Sequence, residues 1–273
     1  MTHAFCPGYP PPYDALVTDY PGEDVYPPTA FRIEWGPIFH RGRLDGSARL
    51  LVVGQDPATE EDVARRILVG VAGQRTQGLM TRLGITRSYV MVNTFLYSVA
   101  GQSGGAKHQH DAGIVDYRHR WLDLLATNNS FDAVITLGTL AATGYAAWSQ
   151  TPTGAEHRPH VAQLLHPTYP ESAAASGSGT LAQDMKKLLD NWNSELPGLA
   201  AALTHPDQPQ NATPYGAAFT PADLTPIPDM DLPPGLPQWM HSPGVWARRT
   251  GATPDDKRAT LTVVVPADQR AWV

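Results

Sequence analysis

With 273 residues and a formal net charge of −6, the chain suits one generous domain, or one domain with a substantial appendage. That charge argues against a basic nucleic-acid coat, though a local basic groove is compatible with it. Hydrophobic content of 42% is ordinary for a soluble globular protein, no apolar run nears the roughly 18 residues of a membrane span, and the single Cys6 excludes an intrachain disulfide.

The N-terminus MTHAFCPGYPPPYD lacks the charged start and apolar centre of a signal peptide, so a cytoplasmic location is expected. Residues 1–48 are Pro-rich and mildly acidic, with IEWGPIF as a packing segment. From Arg49 the texture changes to strand-like runs alternating with helical spacing. Strands are predicted at RLLVVG (49–54), SYVMVN (88–93), FDAVITLG (131–138) and VAQLLHP (161–167). Helices are predicted between and after them, at 73–85, 116–129, 139–150 and 180–196. Near-continuous apolar strands alternating with helices indicate a parallel sheet covered on both faces, an α/β/α sandwich. After Pro197 comes a Pro-rich C-terminal extension, 197–273. PDQPQNATP and PIPDMDLPPGLP in it read as irregular chain, and TLTVVV (260–265) reads as an extra strand. The expected organisation is therefore a packing segment (1–48), a core (49–196) and the extension, which sequence leaves open as a packed element, a mobile arm or both.

Ligands of such sheets bind outside the carboxyl ends of the strands, and polar residues stand at each of these ends: Gln55-Asp56, Asn93, Gly138-Thr139 and His166. Asp56 can orient or deprotonate water. Asn93 presents a donor and an acceptor side by side, suited to the edge of a planar heterocycle. His166 can donate a hydrogen bond to an oxygen on which charge develops. Pro57 and Pro167 stiffen the loops that follow. An Asp after a strand more often caps a helix or forms a turn, and it is the company of Pro57 and His166 that raises Asp56 above that reading. The set suits hydrolytic removal of a base.

Taken in order, GQDPATEED, ILVGVAGQRTQGLMTRLGITRSYVMVNTFL, AVITLG and LLHPTYP resemble the uracil-DNA glycosylase superfamily over residues 49–192. The resemblance implies a four-stranded parallel sheet sandwiched by helices, and a water-mediated reaction needing no metal or organic cofactor. It implies that Asp56 positions the water attacking the sugar C1′ and that His166 stabilises the departing pyrimidine through its O2. It further implies that Asn93 and Gln55 contact the flipped base, that Thr168 holds flanking phosphates, and that Tyr169 or Pro170 wedges into the base stack. DNA is the implied partner, no membrane is involved, and a monomer is expected.

Two departures bear on the substrate. Ala58 stands where the uracil-specific members carry a tyrosine that excludes C5-substituted bases, and Leu68 takes the place of a phenylalanine that stacks on uracil. The cluster cysteines of the iron–sulfur branch are missing. A pocket accepting C5-modified pyrimidines is therefore expected, such as hypermodified cytosine of phage DNA, which would make the protein a defence enzyme rather than a repair enzyme.

The loop GQSGGAKHQHD (101–111) fits a nucleophile elbow around Ser103 only loosely, because no strand directly precedes it and no helix former follows. His108 and His110, with His119, show no convincing metal-ligand geometry. Lys107 is the expected phosphate contact of this loop. A minority of Arg65, Arg66, Arg75, Arg82, Arg87, Lys186 and Lys187 is expected to touch phosphate as well. The same-fold alternative is a member that binds DNA or damaged bases without turnover, and the outside alternative is a serine hydrolase using Ser103.

Overall fold

The computed structural model describes residues 5–101, 105–242, 244–270 and 272. Its strands are β1 (His40–Gly42), β2 (Leu50–Gly54), β3 (Tyr89–Asn93), β4 (Ala133–Leu137), β5 (His160–Leu164), β6 (Ala247–Arg249) and β7 (Leu261–Val263). The helices are α1 (Tyr13–Thr18), α2 (Thr59–Ala64), α3 (Val71–Arg82), α4 (Ala112–Asn128), α5 (Thr139–Trp148), α6 (Pro152–Glu156), α7 (Tyr169–Ala175), α8 (Leu181–Ala202) and α9 (Pro254–Ala259). The central sheet has the order β1-β3-β2-β4-β5. Its last four strands are parallel, as expected, and β1 joins β3 antiparallel at one edge. This fifth strand corrects the four-stranded expectation. Its sequence, His-Arg-Gly, has no apolar alternation to reveal it.

Both faces of the sheet are covered, which is why β2 and β4 contain no polar side chain on either face except Thr136. On one face Leu51, Val53, Val90, Val92 and Val134 pack with Tyr117, Trp121, Leu125, Tyr145 and Trp148 from α4 and α5. On the other, Leu50, Val52, Met91, Ile135 and Leu164 pack with Leu79, Met80, Leu188, Trp192 and Leu199 from α3 and α8. The α8 helix starts on Thr180, whose hydroxyl accepts the Gln183 N–H (3.3 Å). It runs through Pro197, where the sequence suggested an end, because Leu196 and Leu199 are anchored in the core and outweigh the one lost backbone bond.

The extension is packed onto the core. Asp207 accepts the N–H groups of Thr86, Arg87 and Ser88 (2.7, 2.7 and 2.9 Å) just before β3. Tyr215 and Phe219 set their rings edge-on to Trp192. Asp231 is fully buried, receives the Arg41 guanidinium (2.9 Å) and the Tyr89 hydroxyl (2.6 Å), and also pairs with Arg43 (2.5 Å). The β6–β7 hairpin closes over α2, with Trp246 and Ala247 in a small core with Ala64, Val69, Ile227 and Leu232. No helix among the described residues is long and apolar enough to cross a membrane.

Candidate active site

β2 lies between β3 and β4, and the two crossovers that follow it run on opposite faces, α3 on one and α4 on the other. The connections thus diverge at its carboxyl end, the topological switch point where open α/β sheets bind ligands. Gln55 and Asp56 leave the strand there. A cavity of about 550 Å3 opens at this point, and Gln55, Asp56, Ala58, His166, Thr168 and Tyr169 all line it. A second cavity of about 390 Å3, between α5 and β5, is lined by His157 and Arg158 but by no carboxylate, and none of the strand-end residues Gln55, Asp56, Asn93 and His166 reaches it.

Asp56 is partly open to the cavity and enclosed elsewhere. Its Oδ2 accepts the Val99 N–H (3.0 Å). Burial pushes its pKa up to about 6 from 3.8; the Val99 N–H opposes the rise, the neighbouring Glu61 adds to it, and Arg32 and the Gln55 side chain oppose it. Asp56 is therefore ionised at neutral pH yet basic enough to take a proton. His166 shifts the other way. Burial pulls its pKa down to about 4, with Glu171 resisting and Arg75 assisting. Its Nδ1 faces the Thr168 hydroxyl (3.1 Å) and the Thr168 N–H (3.3 Å). An N–H can only donate, so Nδ1 accepts and the neutral ring carries its proton on Nε2.

At the end of β3, Asn93 lies beside Gly54 in register. A Cβ on Gly54 would come within 2.2 Å of Asn93 Oδ1 and 3.7 Å of Leu68 Cδ1, so the bare glycine makes room for the amide. The Oδ1 of Asn93 is buried with no hydrogen-bond partner, an acceptor left available. Leu68 is 6% exposed and sits at φ 53, a left-handed conformation uncommon for a side chain of its size. Carboxylate and neutral imidazole on one cavity can together activate water and stabilise an anionic leaving group, and the buried Asn93 amide lies at the neighbouring strand end.

A family model for the uracil DNA glycosylase superfamily matches residues 41–196, more than half of the chain. The chain belongs to the uracil DNA glycosylase superfamily. The match begins in β1 and ends within α8, so it contains all four parallel strands and the cavity. Among curated proteins no individual relative matches. Membership in the uracil DNA glycosylase superfamily points to a hydrolase that acts on the glycosidic bonds of DNA.

Not all expected site residues meet in the cavity. Asn93 and Leu68 do not line it; both lie against Gly54, and Asn93 borders a separate small cavity with Tyr26, Phe39, Tyr117 and Trp121. Of the two expected wedges, Pro170 is buried in the first turn of α7 and is absent from the cavity lining. Tyr169 lines the cavity and reaches Asp184 through its hydroxyl (3.4 Å). Thr168 spends its hydroxyl and N–H on His166. Lys107 is exposed in a short turn next to Gly105 and Ala106, both on the cavity wall. Ser103 lies outside the described residues, and among these no group of three or more His, Cys, Asp or Glu is placed to hold a metal ion.

The expected arginine surface is largely turned inward. Arg65 donates to the carbonyls of Trp35 and Pro37, and Arg66 lies over the Tyr9 ring. Arg82 pairs with Asp223, while Lys186 and Lys187 pair with Asp190 and Asp184. Arg75 donates to the Pro167 carbonyl (2.6 Å), pairs with Glu171 (2.7 Å) and stacks on Phe219 (4.8 Å), clamping the loop that carries His166. The sequence offered Arg75 only as a candidate phosphate contact, with no sign of this clamp, and gave no sign of Val99. A clamp across 92 residues and a backbone N–H across 43 residues leave no local pattern.

Proposed function

We propose that the protein is a monofunctional DNA glycosylase that hydrolyses the N-glycosidic bond of a flipped pyrimidine, C5-modified pyrimidines included, and leaves an abasic site. One observation carries this reading: a carboxylate poised near pH 6 and a neutral Nε2–H donor share one cavity. As the bond between C1′ and the base nitrogen breaks, its electron pair leaves with the base, and the His166 Nε2–H stabilises the charge on O2. A water held by Asp56 forms the new C1′–O bond and gives its proton to the carboxylate. Gln55 and the open Oδ1 of Asn93 read the base edge, Lys107 contacts phosphate, and Tyr169 fills space vacated by the extruded nucleotide. Extrusion costs a few kcal/mol, which these contacts offset.

The exposed Ala58 at the rim and a cavity volume typical of drug-sized ligands rather than a lone ring support acceptance of a C5 substituent. A hypermodified cytosine of phage DNA is such a base, and its removal would be defence rather than repair. The test presents oligonucleotides bearing uracil, hypoxanthine, and cytosines with small and glucosylated C5 groups, and alkali cleavage reports abasic sites. Release by the wild type and its loss in Asp56→Asn are expected. No release from any oligonucleotide would leave a binding-only member of the superfamily, and release from uracil alone would remove the enlarged pocket.

A further inference from the structure

The first turn of α2 places three carboxylates in succession, Glu60, Glu61 and Asp62, all buried. The outer two turn to the C-terminal hairpin: Glu60 lies near the backbone N–H groups of Trp246 and Ala247, which favour its charge, and Asp62 pairs with Arg249. Glu61, 4% exposed, turns inward. Its Oε2 accepts the Ala58 N–H (3.0 Å) and its Oε1 accepts the Val69 N–H (3.1 Å), with the Gly70 N–H as a further donor. One carboxylate thereby bridges two turns on either side of α2: the Gln55–Ala58 turn that carries Asp56, and the 68–70 turn in which Leu68 is held at φ 53. A left-handed leucine persists only where its surroundings over-determine it. Here the carboxylate holds one side, and the other is closed by Gly73, where a Cβ would fall 1.6 Å from the Leu68 carbonyl oxygen.

We propose that Glu61 is a positioning residue that locks the Asp56 turn to the Leu68 turn, fixing the water site relative to the wall of the base slot. The proposal rests on the glycosylase reading for its kinetic consequence, and on geometry for the bridge itself. Glu61 touches neither base nor water. It acts through the Ala58 and Val69 backbones and through its charge, which faces Asp56 from α2 while Arg32 faces Asp56 from the N-terminal segment; Glu60 and Asp62 flank Glu61 on its own helix, and Arg249 and Arg65 lie against Asp62.

The test is Glu61→Gln, close to isosteric, whose amide nitrogen must meet one of the two N–H groups and cannot accept from it. Base release is expected to fall between about tenfold and a hundredfold, the cost of a misplacement of about an ångström at a reacting centre. The acid limb of its pH–rate profile should move to lower pH, since Asp56 loses a negative neighbour. Glu61→Asp keeps the charge and shortens the reach, so its rate should fall with the limb unmoved. A folded Glu61→Gln with wild-type rate, or with a reduced rate and an unmoved limb, overturns the proposal. If Glu61→Gln does not fold, wild-type activity in Glu61→Asp overturns it. Carboxyl NMR titration of Asp56 and amide exchange at Val69, in wild type and variant, read the bridge without turnover. A chain that releases no base yet shows a lowered Asp56 titration and faster Val69 exchange in Glu61→Gln would fail the glycosylase reading and keep the bridge.

Discussion

The burial that makes Asp56 a usable base also makes its charge costly to hold in the fold. Below about pH 4 folded and unfolded chains both keep the proton and no cost arises. Between the unfolded value of 3.8 and the folded value of about 6 the unfolded chain ionises first, so stability declines as pH rises, and above 6 the full cost persists. Asp56→Asn is therefore expected to unfold at higher urea at neutral pH, by about 1–3 kcal/mol, with the gain vanishing near pH 4. Wild-type base release should climb as pH rises through about 6 and then stay flat, because His166, with a pKa of about 4, is already neutral there. A stability gain that does not depend on pH, or a rate that is flat across pH 6, contradicts this account. At this scale Asp56 and His166 stood out in the sequence only together, each a polar residue before a proline at the end of an apolar strand, and the fold brings both to one cavity. The Val99 N–H and the Thr168 N–H did not stand out, since every residue but proline has one and only the fold selects which is used.

The elements that carry those residues were legible where hydrophobic periodicity runs for at least five residues. β2, β3 and β4 fall within their predicted spans, β5 starts before its span and stops short of its end, and α4, α5 and α8 differ from theirs mainly at the ends. β1 escaped because three residues are too few to show a period and its side chains are His and Arg. The slot between β2 and β3 also depended on something sequence shows only as a letter: Gly54 has no Cβ, and Asn93 occupies the space. Gly54→Ala places a methyl carbon where the Asn93 amide now stands, well inside contact distance. The strand should still form, since extended backbone suits alanine, while the amide turns aside. The expected result is a loss in kcat/KM of base release on the order of tenfold to a hundredfold with an unchanged circular dichroism spectrum. Wild-type kinetics would show that Asn93 has no part in the base slot.

Across the whole molecule the least legible feature was the extension, whose prolines suggested irregular chain and whose partners lie up to 230 residues away. Its irregularity is real, yet its acids are spent on the core: Asp207 before β3, Asp223 on Arg82, Asp231 between β1 and β3. Asp231→Ala strands the fully buried Arg41 charge and is expected to cost about 3–5 kcal/mol in urea unfolding, whereas an exposed pair such as Lys186–Asp190 should contribute less than about 1 kcal/mol. A loss below 1 kcal/mol for Asp231→Ala would show that the extension is not anchored there. The contacts of Glu60 and Asp62 with Trp246, Ala247 and Arg249 reach further still. Synthesis proceeds from the N-terminus, so the Asp56 turn leaves the ribosome long before the hairpin that covers its neighbouring acids. A nascent chain halted short of β6 already holds every residue of the cavity and lacks the partners that keep α2 in place. On the glycosylase reading, a chain truncated before Trp246 is therefore expected to release base more slowly than the full chain, measured on the same oligonucleotides. Equal rates would show that the hairpin contacts do not hold the site in place.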